Sequence, residues 1–308
     1  MKKILYVLFL ISTIANCQIS VTKVAEPVII KTIDYDSINN FLGKDYSNYI
    51  GQDLFLRPLN ERLRKYGYDN FKLDPKGSSY SSKNVYKKDE NSESNYEELQ
   101  GKLFNVLDVL EDPSSSFSKN AFLKLKFKDN DETVFFKYDT QYSHSFPFTV
   151  MGYFEKSKQI FIGNEVLIRK FKTEGSTPIS DINTGEVLDI STDKYYKCVD
   201  ITLDEKYFSL ALVLETETKQ KFTFFLSNRT NNIPRILLKN EAESYKVKFG
   251  DIYWEAILKE VVKVGFTEEM TKLSWGEPDS INSSSYGDQW VYTGTYLYFE
   301  NGLLKSFN

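Results

Sequence analysis

Hydrophobic positions along this chain alternate with polar ones more often than they recur at helical spacing, and the alternation restarts many times. Leu103–Leu110, Phe122–Lys128, Thr133–Tyr138 and Phe146–Tyr153 each read as strands. Their period of two, in aromatic and β-branched residues, suits a pleated surface with one face buried. Asp129-Asn130-Asp131 supplies a turn between two of them. Pro147 has no N–H to give to a ladder and belongs at a strand start or edge. Upstream, Leu59, Leu63 and Tyr66 recur at i, i+4 and i+7 between Pro58 and Gly67, which predicts a short helix with one packed face. Lys76–Glu98 is rich in Ser, Asn, Lys and Glu, has almost nothing to bury, and reads as a mobile surface loop. In the lead-in, Val28-Ile29-Ile30 reads as a strand and Ser37–Leu42 as a helical turn.

One phrase recurs. Tyr49–Arg57 reads YIGQDLFLR and Phe161–Arg169 reads FIGNEVLIR, with every position matched in kind. The order after it repeats as well. Asp193–Ile201 matches Gly101–Val109, Leu210–Leu214 matches Leu123–Phe127, Phe222–Phe225 matches Val134–Lys137, and Ile233-Pro234 matches Phe146-Pro147. The interval after the first phrase is longer, by about the length of the polar stretch behind Leu73. The expectation is a duplicated β-unit, residues 49–158 and 159–249, with a polar loop at 76–98 inserted in the first copy. Such a unit suits a small SH3-like barrel. It sits near the lower size limit for independent stability, so the copies are expected to pack as a pseudo-twofold pair with one strand order.

Residues 250–308 change character. Ile252, Ala256 and Lys259-Glu260 lie on a helical period, with Trp254, Ile257, Leu258, Val261 and Val262 widening the apolar face. Thr267 is placed to cap a second helix, Glu268–Trp275, with acids in its first turn and Gly276 and Pro278 behind it. Gln289–Tyr292, Thr295–Glu300 and Leu303–Phe307 follow as strands, joined at Thr293-Gly294 and Asn301-Gly302. VKVGFTEEMTKLSWGEPDSIN, then QWVY, then YLYFENGLL resembles the domain of the small outer-membrane-assembly lipoproteins (the SmpA/OmlA family). It is similar also to the related folds of β-lactamase inhibitor proteins, and closest to a version at the end of many exported Gram-negative bacterial proteins of unknown role. The resemblance covers under a sixth of the chain. It implies two helices against a three-stranded antiparallel sheet, a protein-binding or scaffolding role in the envelope, and no catalysis. The whole is therefore expected to be mostly β with a C-terminal α+β domain: two duplicated SH3-like units, then two helices packed on a three-stranded sheet.

The first residues change where such a protein would work. Lys2 and Lys3 precede Ile4–Ile14, an apolar run too short to span a bilayer, which together read as a signal peptide over residues 1–17. Residues 18–48 then form an N-terminal lead-in. Ala15-Asn16-Cys17 permits cleavage before Gln18 and free export to the periplasm or medium. Cleavage before Cys17 would instead free its thiol for a lipid anchor in the outer membrane, the one membrane link expected. The net charge is −4, and more negative once the two lysines leave with the signal. That balance argues against nucleic acid and against anionic lipid. Of the 2 cysteines, only Cys198 follows Cys17, so no intramolecular disulfide can hold the exported chain. Stability must come from cores, to which 21 Tyr and 23 Phe contribute much of the area.

Composition then narrows the chemistry. The sole histidine, His144, stands in Tyr142-Ser143-His144-Ser145-Phe146, outside any nucleophile elbow. One His with one distant Cys makes no zinc site of the usual kind. Asp129-Asn130-Asp131-Glu132 looks calcium-like but lacks the glycine and distal glutamate of the known loop. No phosphate-binding glycine motif occurs. No cofactor or metal is expected. The leading expectation is a non-catalytic envelope protein that binds other envelope proteins, with Trp290, Tyr292, Tyr296 and Tyr298 as the partner-binding sheet. The alternatives are a peptide or glycan hydrolase using a carboxylate pair, and, by fold analogy, an inhibitor of an exported enzyme.

Overall fold

The computed structural model describes residues 45–77, 81–90, 93–112, 120–139, 146–169, 178–204, 209–226 and 235–308. The signal segment, Cys17, almost all of the 18–48 lead-in and His144 lie outside these residues. The described part is mostly β, with three antiparallel sheets and a few short helices, all within the unit Tyr35–Asn308. Among the described residues no helix is long and apolar enough to cross a membrane.

The first sheet contains β1 (Asp53–Leu56), β2 (Phe71–Lys72), β3 (Leu103–Glu111), β4 (Asn120–Phe127), β5 (Thr133–Asp139) and β6 (Phe148–Val150). Their spatial order is β2-β5-β4-β3-β1-β6. The second contains β7 (Glu165–Ile168), β8 (Tyr195–Leu203), β9 (Leu210–Glu215), β10 (Lys221–Phe225) and β11 (Ile236–Leu238), in the order β10-β9-β8-β7-β11. Leaving out β2, the two orders are the same. Both sheets carry a register shift at one place, between Val106 and Asp108 and between Cys198 and Asp200. Gly51 and Gly163 both have positive φ, 82° and 86°. Each donates its N–H across the bend, to the Val106 carbonyl and to the Cys198 carbonyl, both at 2.8 Å. Among the described residues the strands of each sheet form one open row.

Register corrects two of the sequence matches. Leu214 pairs with Cys198 as Leu125 pairs with Val106, so Leu212, not Leu210, holds the place of Leu123. A slip of two keeps every side chain on its face, so alternation alone could not detect it. Arg57 N–H donates to the Pro147 carbonyl and Arg169 N–H to the Arg235 carbonyl. Arg235 therefore stands where Pro147 does; Pro234 lies outside the described residues.

The short helices correct other expectations. α1 spans only Glu61–Arg64, and Leu63 and Tyr66 are about half exposed. The chain turns away at Gly67, φ +76°, where an added Cβ would lie 2.2 Å from the Ser94 carbonyl oxygen. That close approach seats Tyr68, which is buried and donates its hydroxyl to the Arg57 carbonyl at 2.8 Å. The stretch 76–98 is not a loop with nothing to bury. Val85, Tyr86, Ser94 and Tyr96 are buried, and α2 (Tyr96–Leu99) begins within it. Its isolated aromatics anchor it: Tyr96 stacks on Tyr68, and Tyr86 packs on Phe127. The strand expected through Tyr153 stops at Val150, and α3 (Met151–Phe161) begins, burying Tyr153 and Ser157 one turn apart.

α4 (Lys239–Phe249) and α5 (Asp251–Leu258) precede α6 (Glu268–Trp275), whose bounds are those expected. Thr267 accepts the Met270 N–H at 3.2 Å as the cap. The third sheet has four strands rather than three. β12 (Ser280–Ser284) precedes β13 (Gly287–Tyr292), β14 (Thr295–Glu300) and β15 (Leu303–Phe307), hydrogen-bonded in chain order.

Two cores hold these parts. Leu54, Phe104 and Phe136 of the first sheet join Val166, Ile168, Tyr196 and Phe222 of the second in one cluster. Leu167 and Leu237 face the other way, into a cluster with Trp254, Phe266, Trp290, Leu297 and Phe299. β7 thus buries both faces over Val166-Leu167-Ile168, which is why that run is apolar without alternation.

Candidate functional site

A two-residue turn at Thr293-Gly294 fixes which side chains of the third sheet share a face. It pairs Tyr292 with Thr295, and therefore Val291 with Tyr296, Trp290 with Leu297 and Gln289 with Tyr298. Directly paired residues project to one side. Trp290, Leu297, Phe299 and Leu304 face the helices and are buried. Val291, Tyr296, Gln289 and Tyr298 face outward.

The four aromatics expected to form one binding surface are therefore divided. Trp290 is 1% exposed and packs on Phe299 with ring centroids 4.6 Å apart. Tyr292 is half-buried on the same inner side; its ring meets Trp275 edge-on, and its hydroxyl donates to the Gly276 carbonyl at 2.8 Å. Burial pushes the Tyr292 phenol up, so it remains a donor at any ordinary pH. These two hold the sheet to α6. Tyr296 and Tyr298, 40% and 39% exposed, carry the outer face. Tyr298 is fixed by a polar ladder: Asn282 Nδ2 donates to Gln289 Oε1 at 3.0 Å, and Gln289 Nε2 donates to the Tyr298 hydroxyl at 3.1 Å. A preset aromatic loses little freedom on contact with a partner.

An isolated bridge outside the sheets carries a carboxyl pair that sequence reading did not single out. Tyr68 and Ser94 form an antiparallel bridge, which sets Asp69 opposite Glu93 on the next rung. Like charges facing each other this way repel. Burial, and next the hydrogen bond and charge of Asp69, push Glu93 up to about 7; Lys72 opposes the shift and Asp89 adds to it. The group therefore binds a proton in the fold that it releases on unfolding, across the window from about 4.5 to 7. Its contribution to stability is present below that window and is lost as pH rises through 7. For a half-exposed group this amounts to roughly 1–2 kcal/mol after solvent screening. Glu93→Gln should flatten the stability of the protein between pH 5 and 8, with the variant the more stable at pH 8. Urea midpoints at both pH values measure it; parallel pH slopes for variant and parent would refute the pairing.

The calcium-like run is a turn stapled by lysines. Lys102 binds Asp129 at 2.6 Å, Lys126 binds Asp131 at 2.7 Å, and Asn130 accepts the Glu132 N–H at 2.8 Å. Cys198 is buried in β8, where burial pushes its thiol up to about 11, the condition of an inert core residue.

Comparison of the chain with protein-family models, with curated proteins and with solved structures finds no match.

Proposed function

We propose that this chain is an exported, non-catalytic cell-envelope protein that binds another protein through the outer face of its C-terminal sheet. The observation that carries the reading is the pair Tyr296 and Tyr298, partly exposed on β14 and backed by a buried core. Tyrosine is enriched where interfaces concentrate their energy. Export rests on the N-terminal segment read from sequence, with free release or lipidation at Cys17 as its two outcomes. We also propose kinship of residues 250–308 with the SmpA/OmlA-like domain. The order α5, α6, then antiparallel strands supports that kinship, while β12 and α4 depart from the simple expectation. The two larger sheets are read as copies of one ancestral, SH3-like unit. Their common strand order, common bulge and matched glycines support the duplication; their open edges depart from a closed barrel.

The test is crosslinking capture from the native envelope by the parent and by Tyr296→Ala/Tyr298→Ala. Both side chains lie outside the core, so the double variant should melt as the parent does. Its affinity for the captured partner should fall about 30- to 1,000-fold, at roughly 1–2 kcal/mol for each of the two aromatic anchors. Undiminished capture by the variant would exclude this face.

A second reading has one specific support, the Asp69–Glu93 pair, since hydrolases use a carboxyl whose proton affinity is raised beside a second carboxyl, as that of Glu93 is. Digestion of peptidoglycan by the parent and not by Glu93→Gln would move the function to this site.

A further inference from the structure

We propose that β12 is a dimerisation edge, at which a second copy of this chain adds its own β12 antiparallel about a twofold axis through Asn282. The two C-terminal sheets would then continue as one. The inference does not depend on the partner-binding reading, because the Tyr296 face stays open in such a pair.

An open strand edge is a template for another strand, and proteins blunt it with charge, cover, bulges or shortness. Each other edge among the described residues is blunted. β2 has two residues, and its free side bridges to Val85. β6 is short, wholly buried, and runs directly into α3. β10 begins at Lys221, whose N–H donates to Asp181 and whose carbonyl accepts the Ile182 N–H. β11 is short and leads into α4. β15 carries Lys305 and a bulge against β14, and residues 265–266 occupy its free side. Leu304 N–H donates to the Phe266 carbonyl at 2.7 Å, and Gly265 N–H to the Leu304 carbonyl at 2.8 Å.

β12 has none of these devices. All its residues are exposed, none is charged, and its register with β13 has no shift. Among the described residues its backbone bonds join it to β13 and to nothing on the other side.

Charge selects a second copy as the occupant. Antiparallel self-pairing sets each residue against one from the same strand, so a strand bearing charge would confront its own sign. Ser-Ile-Asn-Ser-Ser meets itself with no such cost. At the axis Asn282 faces Asn282, and an amide can donate and accept in both directions. The same register brings Tyr286, 88% exposed beyond the strand end, beside Pro278 of the other copy. Ile281, 47% exposed, is covered in the same step.

The test uses the chain carrying Cys17→Ser, so that the buried Cys198 is its one native thiol. Sedimentation equilibrium should give a concentration-dependent dimer. Asn282→Lys sets two like charges across the axis and should weaken the dimer at least 10-fold with an unchanged melting temperature. Asn282→Cys should form an intermolecular disulfide on mild oxidation, since facing Cα atoms in such a pair lie about 4.5–5.5 Å apart, within the span of a disulfide. A monomer at every concentration overturns the proposal and leaves the edge to a foreign strand or to none. A dimer untouched by Asn282→Lys, with no intermolecular disulfide in the Asn282→Cys chain, assigns the contact to another surface and overturns it equally.

Discussion

Arg169→Ala is expected to lower the unfolding free energy by about 3–5 kcal/mol, while Arg57→Ala lowers it by about 1–2 kcal/mol. The two arginines end the same repeated phrase, yet they face different surroundings. Arg57 is half-buried and serves its own sheet: Nε donates to the Pro147 carbonyl at 3.1 Å and Nη2 to the Phe146 carbonyl at 2.6 Å. Arg169 is 1% exposed and leaves its sheet. Its Nη1 donates to the Leu273 carbonyl and its Nη2 to the Ile257 carbonyl at 2.8 Å. Those carbonyls close the last turns of α6 and α5, where helix dipoles present partial negative charge. One guanidinium thus ties two helix ends to β7. Burial pulls its pKa down to about 10, which still leaves it charged at neutral pH. Removing it takes the side-chain donor from the Leu273 carbonyl in a dry core, leaves the Ile257 carbonyl with only backbone donors such as the Glu260 N–H at 3.1 Å, and opens a cavity as well. Arg169→Lys should recover only part of the loss, since an ammonium lacks the planar fork that reaches both ends. Urea unfolding of the three variants decides the matter; equal losses at positions 57 and 169 would refute the tie.

Much of the C-terminal domain was legible because its signals are local. Thr267 with acids behind it and Gly276 after it bound α6, and Thr293-Gly294 and Asn301-Gly302 bound β14 and β15. What was missed has no local signal. β12 reads SINSS, with one apolar residue and no alternation, and is a strand only because β13 offers it an edge. α4 buries Ala242 and Phe249, seven positions apart, in an otherwise polar run. Tyr86 and Tyr96 look isolated in sequence and find partners only in the fold. The division of the aromatic surface, by contrast, was within reach. A two-residue turn pairs 292 with 295, which already puts Trp290 and Tyr296 on opposite faces. The carboxyl pair was not within reach, since Asp69 and Glu93 meet through a single isolated bridge.

The boundary at Gly250, clear in sequence as a change of character, is not a boundary in the packing. A chain ending before Gly250 is expected to lose about 4–8 kcal/mol and to bind hydrophobic dye. Leu167 and Leu237, 2% and 5% exposed, owe their burial on that side to Trp254, Phe266 and Trp290, and Phe249 of α4 packs in the same cluster. Each such side chain returned to water costs about 1.5–3 kcal/mol. Against a typical domain stability of about 5–15 kcal/mol, that sum leaves little. Deleting the tail would therefore abolish partner capture whether or not the tail makes the contact. Only outward substitutions such as Tyr296→Ala/Tyr298→Ala separate binding from folding. Dye fluorescence and urea midpoints of the truncated and full chains test the packing argument. A truncated chain with the full midpoint and no dye signal would make the second sheet self-sufficient, and would restore deletion as a fair test of where the partner binds.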